Sequence, residues 1–127
     1  MFVFFAFGFI LFTPQGGAIM NDFYFQRDAV FKEIREGVER SVRVYTDDLM
    51  LCELHFKAGE RGKLHHHPNT QITYIVKGVF EVEVDGVKKV VKSGDAILAR
   101  SDIEHGCSCL EDGVLLDIFT PMRKDFV

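Results

Sequence analysis

The sequence predicts an all-β domain, a sandwich or a barrel, and three observations carry that reading. Turn-forming clusters recur roughly every eight to twelve residues, the runs between them alternate apolar and polar side chains, and no stretch keeps helical periodicity over three turns. A sheet that closes on itself removes exposed edges, and closure leaves an interior mouth where a ligand can be held.

The elements follow in order. Met1 to Phe12 is almost wholly apolar, holds six of the 13 Phe, and no charge occurs before Asp22. Twelve apolar residues fall short of the roughly twenty that span a bilayer. A signal peptide would need a positive n-region and an A-x-A site, and both are missing. Residues 1–19 therefore read as an apolar extension, either an upstream mis-start ahead of Met20 or an added strand, with a signal peptide as the alternative. Residues 20–127 read as a single domain.

Phe23 to Phe25 is an apolar patch suited to docking, and Ala29 to Ile34 is ambiguous between a helical turn and a strand. Val38 to Tyr45 alternates, turns at Asp47-Asp48, and returns as Leu49 to Phe56, whose better core face is Met50, Cys52, Leu54 and Phe56. His55 then falls on the other face, as a surface or rim residue. Lys57 to Lys63 is a loop leading into a histidine strand. Gln71 to Val76 is rich in β-branched and aromatic residues and ends at Lys77-Gly78. Val79 to Val84 and Val87 to Val91 flank Asp85-Gly86, the strongest short hairpin signal there is, because a type I′ turn needs positive φ at both central residues. Ser93-Gly94-Asp95 turns into Ala96 to Ala99. His105 to Leu110 and Val114 to Phe119 complete the series, separated by a turn at Glu111-Asp112-Gly113.

With 127 residues, 47% apolar and 27% charged, the chain has material for one core and not two. A net charge of -4 without a basic patch excludes nucleic acid as a partner. Cys52, Cys107 and Cys109 are an odd number and indicate no disulfide framework. A lone C-x-C pair is a poor zinc signature, so the thiols read as buried or semi-buried.

The chemistry concentrates between Gly59 and Gly78. In an extended segment His65 and His67 share a face while His66 points away. Pro68, Asn69 and Thr70 break the strand, and Gln71 opens the next run where its side chain returns to the same point. His105 supplies a further imidazole from a separate segment, as metal sites commonly require. His65, His67, Gln71 and His105 read as one divalent metal site, and its neutral ligands suit Zn²⁺, Ni²⁺, Mn²⁺ or Fe²⁺. Four neutral ligands leave the ion's charge unneutralised, which favours an acidic ligand. Asp117 and Phe119 share one face of the last strand. A carboxylate there is costly to bury without a partner, so Asp117 is expected in the cavity beside the metal or Arg123.

These spacings resemble the cupin family. Its first motif runs Gly, five residues, His-x-His, three residues, an acid or amide, six residues, Gly, and Gly59, His65, His67, Gln71 and Gly78 stand at those places. The second motif is matched by Gly94-Asp95, the apolar run Ala96 to Ala99, and His105, with Arg100 and Ser101 where cupins usually carry proline. The commoner glutamate of the first motif is Gln71 here. The resemblance implies a double-stranded β-helix, a jelly-roll barrel, over about Val38 to Phe126, and pairing of two copies through edge strands as a homodimer.

The tail sharpens the resemblance to small cupins of the KdgF type, pectin-degradation proteins that act on unsaturated uronates. Their Asp-x-Phe-Ser-Pro-x-Arg-x-Asp-Phe pattern is met by Asp117, Phe119, Pro121, Arg123, Asp125 and Phe126, with Thr120 in place of serine. This implies conversion of 4,5-unsaturated monouronates into linear keto acids in the cytoplasm, with Asp117, Phe119 and Arg123 as the catalytic or substrate-contacting set and a small acidic sugar as substrate. Two other classes fit the same residues. One is a non-catalytic module holding a sugar acid or small anion. The other is an oxygen-dependent dioxygenase, against which the missing anionic ligand speaks mildly.

Overall fold

A computed structural model describes residues 22–127. The readings of residues 1–19 and of a start at Met20 lie outside the described residues. Seven strands form: β1 (Lys32–Arg35), β2 (Val38–Thr46), β3 (Leu49–Phe56), β4 (Thr70–Val84), β5 (Val87–Lys92), β6 (Ala96–Ala99) and β7 (His105–Thr120). They pair antiparallel in the order β1-β2-β3-β7-β4-β5, with β6 added to β4. Short 3-10 turns at Gln26–Asp28 and Lys124–Phe126 flank the sheet. The ambiguous segment before Val38 thus resolves into β1, preceded by the first of these turns. Among the described residues no helix is long and apolar enough to cross a membrane.

Asp85 and Gly86 join β4 to β5 with φ of 50° and 82°, both positive as the hairpin requires. Two other sequence turns do not end strands. The chain runs on through Lys77-Gly78 as the 15-residue β4 and through Glu111-Asp112-Gly113 as the 16-residue β7. The reason is curvature. Register shifts between Ile75 and Lys77, Lys77 and Val79, and Val79 and Phe80 let both strands bend together and pass from one layer of the barrel to the other. Before the bend β4 pairs with β6, after it with β5, and β7 accompanies it throughout. Gly78 sits at the crossing with φ of 89°, where a Cβ would strike the carbonyl of Asp112 and the Cα of Gly113. The histidine segment also differs from expectation. It is a loop that pairs with the sheet through a bridge from His65 to His105, with N–H to carbonyl distances of 2.9 Å in both directions.

The inward faces make two apolar clusters. Val38, Phe56, Ile75, Phe80, Val82, Cys109 and Leu115 form one, and Met50, Cys52, Phe119 and Met122 the other. The predicted core face of β3 is the observed one, with Leu54 at its margin. All three cysteines are free thiols, and burial pushes Cys52 and Cys107 up to about 12. Outside the sheet the N-terminal segment covers β2 and β3. There buried Arg43 meets Glu53 at 2.8 Å and Gln26 at 3.0 Å, with Tyr24 and Phe31 against its guanidinium. His55 lies on this side, its ring 2.7 Å from Glu53 and packed on Phe31.

Candidate metal centre

His65, His67 and His105 offer nitrogens that all lie within 4.8 Å of one another. Each ring is anchored through Nδ1 to a main-chain carbonyl two residues away: His65 to Lys63 at 3.0 Å, His67 to Asn69 at 3.0 Å, His105 to Ile103 at 2.8 Å. A carbonyl only accepts, so each Nδ1 carries the proton and each Nε2 keeps a lone pair. His105 Nε2 is buried without a hydrogen-bond partner. Such an orphan is costly unless a cation completes it. Burial also pulls His67 and His105 below the ordinary imidazole range, which favours the neutral, ligating form. The donor set fits a borderline divalent ion. His66 points away, exposed, 3.6 Å from Asp102.

Gln71 continues the arrangement. Its amide nitrogen donates to Thr73 Oγ1 at 2.9 Å and to Asp117 Oδ1 at 3.0 Å, which turns its Oε1 toward His67 Nε2 at 3.0 Å. His67 Nδ1 already holds the ring proton, so two acceptors face one another. A cation beside them relieves that juxtaposition.

Asp117 is buried as the alternation of β7 predicts, and it lines a cavity of about 200 Å³ together with His65, Gln71, His105, Phe119 and Arg123. Thr73 stands opposite it in the β4–β7 register and donates to Oδ1 at 2.5 Å. Both hydrogen bonds to the carboxylate end on Oδ1, and Oδ2 is not sealed from the cavity. Burial drives the carboxyl up to about 6, against the opposing pull of Thr73 and Gln71.

Arg123 is not the ion-pair partner of Asp117. It gives Nε and Nη2 to Asp125 at 3.1 and 2.9 Å, and its guanidinium rests on the rings of Phe126 and Phe119. Phe119 is 2% exposed, edge-on to His67 and Phe126 beside the cavity. Three residues to which the sequence reading gave no role in the site belong to it. Thr73 lies two residues beyond Gln71 and therefore on its face, a signal that alternation carries. Asn69 donates to the carbonyls of Pro121 and Met122 at 2.7 and 3.3 Å and ties the histidine loop to the tail. Arg40 lines the cavity from β2, betrayed only by a charge between Val38 and Val42 on an apolar face. A larger open depression of about 440 Å³ between Gly37, His55, Lys77 and Asp112 contains none of the triad.

The cupin domain model matches residues 52–119. The chain is 37% identical over 110 residues, 85% of its length and 100% of the relative's, to the pectin degradation protein KdgF of Dickeya dadantii. Among solved structures it is similar to KdgF from Halomonas sp., with TM-score 0.82, 34% identity and coverage of 84% of this chain and 99% of that one. An RmlC-like cupin from Shewanella frigidimarina gives TM-score 0.82 at 36% identity, over 84% of this chain and 96% of that one. With a double-stranded β-helix and three histidines gathered at its mouth, the chain belongs to the cupin superfamily and resembles the KdgF-type proteins.

Proposed function

We propose that the protein is a metal-dependent enzyme of uronate breakdown, converting 4,5-unsaturated monouronates from pectin or alginate into linear keto-uronates. Similarity to pectin-degradation proteins supports the substrate class. The observation that carries the reading is Asp117, a buried carboxyl with one oxygen tethered and the other open to a cavity that it shares with His65, Gln71 and His105. That cavity lies below the ~300–1,000 Å³ of typical ligand pockets and suits a single sugar ring rather than an oligosaccharide. The substrate is a small acidic sugar, the working unit a homodimer, and the compartment the cytoplasm.

His65, His67 and His105 hold a divalent ion, Zn²⁺, Ni²⁺, Mn²⁺ or Fe²⁺, with Gln71 Oε1 as the fourth ligand. When bound, it supplies an unneutralised positive charge for the oxygens of an acidic guest. Asp117 Oδ2 takes the proton of the anomeric hydroxyl. The carbonyl forms, the ring C–O bond breaks, and its electron pair leaves as an enolate conjugated to the carboxylate. The proton held on Oδ2 then goes to carbon, and the enolate becomes a ketone. Arg123 binds the carboxylate, and Phe119 closes the floor beneath His67.

Incubation with the products of a pectate or alginate lyase tests this, through loss of the conjugated double bond's absorbance with and without chelator. Asp117→Asn should keep its metal and lose about 10²- to 10⁴-fold in turnover. Unchanged rates in that variant would remove the acid/base role. Saturable binding of the uronate with no change in absorbance would mark a binding module instead.

A further inference from the structure

Three arginines line the cavity, and they are in different states. Arg35 is paired with Glu60 at 3.3 Å and donates to the carbonyl of Arg61 at 3.4 Å. Arg123 has two of its donors engaged by Asp125. Arg40, on the inward face of β2, makes no ion pair or side-chain hydrogen bond among the described residues, and none of its nitrogens is sealed from solvent. Its guanidinium carbon lies over the ring of Phe126, 3.5 Å from the centroid, while that of Arg123 lies over the same ring at 4.3 Å. The ring holds Arg40 in place without consuming a donor. A half-buried cation with an open fork, on the wall of a cavity whose buried carboxylate is already hydrogen-bonded, is a site for an external anion.

We propose that Arg40 is a substrate-binding residue and supplies the bidentate fork for the carboxylate of the sugar acid, with Arg123 as the second, partly engaged arginine of the pair. This rests on the reading that the ligand is a uronate. Planar guanidinium matches carboxylate with two parallel N–H···O bonds, which a lysine cannot do. Phe126, between the two arginines, is then part of the specificity apparatus, although it sits in the last turn of the chain.

The test is steady-state kinetics of Arg40→Gln and Arg40→Lys in the metal-loaded protein on unsaturated galacturonate, beside calorimetric titration with saturated galacturonate and with galactose. Arg40→Gln should raise KM about 10- to 100-fold with a much smaller change in kcat, and Arg40→Lys should recover only part of the loss. Wild type should prefer galacturonate to galactose, and Arg40→Gln should erase the preference. If wild type turns over the uronate and the KM of Arg40→Gln matches it, the assignment of Arg40 falls while the proposed reaction stands. If wild type shows no turnover yet Arg40→Gln abolishes galacturonate binding, the reaction falls and Arg40 remains the anion site. Should Arg40→Gln not fold, Arg40→Lys with wild-type KM and wild-type galacturonate affinity overturns the assignment, because the fork is lost while the charge is kept.

Discussion

A carboxyl lifted to about 6 from an ordinary 3.8 is a statement about folding as well as chemistry. Asp117 binds its proton more tightly in the folded chain than in the unfolded one. Its contribution to stability is therefore fully present below about 3.8 and is lost as pH rises through about 6. In the metal-free protein Asp117→Asn should gain on wild type across that window, by about 3 kcal/mol at neutral pH. Urea unfolding of both proteins at acid and neutral pH measures it, and an equal gap at both would mean that the carboxyl is ordinary. Taking the difference isolates Asp117 from His67 and His105, whose depressed values slope stability the other way. At this scale the sequence carried much of the site. The alternation of β7 turns Asp117 inward, and the His-x-His spacing brings two rings to a point even though the segment is a loop. The engagement of Arg123 by Asp125 was not legible, because a two-residue separation in an irregular tail has no fixed geometry.

At the scale of elements the bend in β4 and β7 shapes the barrel. Gly78→Ala adds a Cβ against the main chain of Asp112 and Gly113 at a positive φ, so relief requires the two strands to part. We expect a loss of about 3 kcal/mol or more, read as a fall in melting temperature. The same change at Gly86, which also has positive φ but where nothing lies within 4 Å, should cost less. A variant as stable as wild type would show that the crossing can relax. The bend explains where sequence reading divided two strands into four. Gly and Asp-Gly punctuate a turn and a bulge alike, and only pairing across the sheet distinguishes them. Arg40 escaped for a related reason: one charge within an alternating strand looks the same whether it reaches a rim or a cavity.

For the molecule as a whole, strand order, the two core clusters and the mouth with its three histidines form one closed body, while its exposed edge β5 carries Lys88, Lys89 and Lys92. Lysines on an edge discourage pairing there. Exposed apolar side chains gather instead on the outer sheet face, with Ile72, Tyr74 and Leu98 on neighbouring strands. Removing metal should lower the melting temperature without unfolding the chain, because the apolar clusters do not pass through the ion. Restoring a divalent ion at 100 to 1,000 times its dissociation constant should return about 3–4 kcal/mol. Thermal melts with chelator and then with Zn²⁺, Ni²⁺, Mn²⁺ or Fe²⁺ check this, and a melt indifferent to all four would remove the metal from the account.

Because Lys63, Asn69 and Ile103 orient the three rings through carbonyls of their own loops, the socket keeps its form whoever sits in it. Selection among borderline ions then passes from protein to surroundings. Batches grown on different trace-metal supplies would carry different occupants, and catalytic vigour would track the medium as much as the gene.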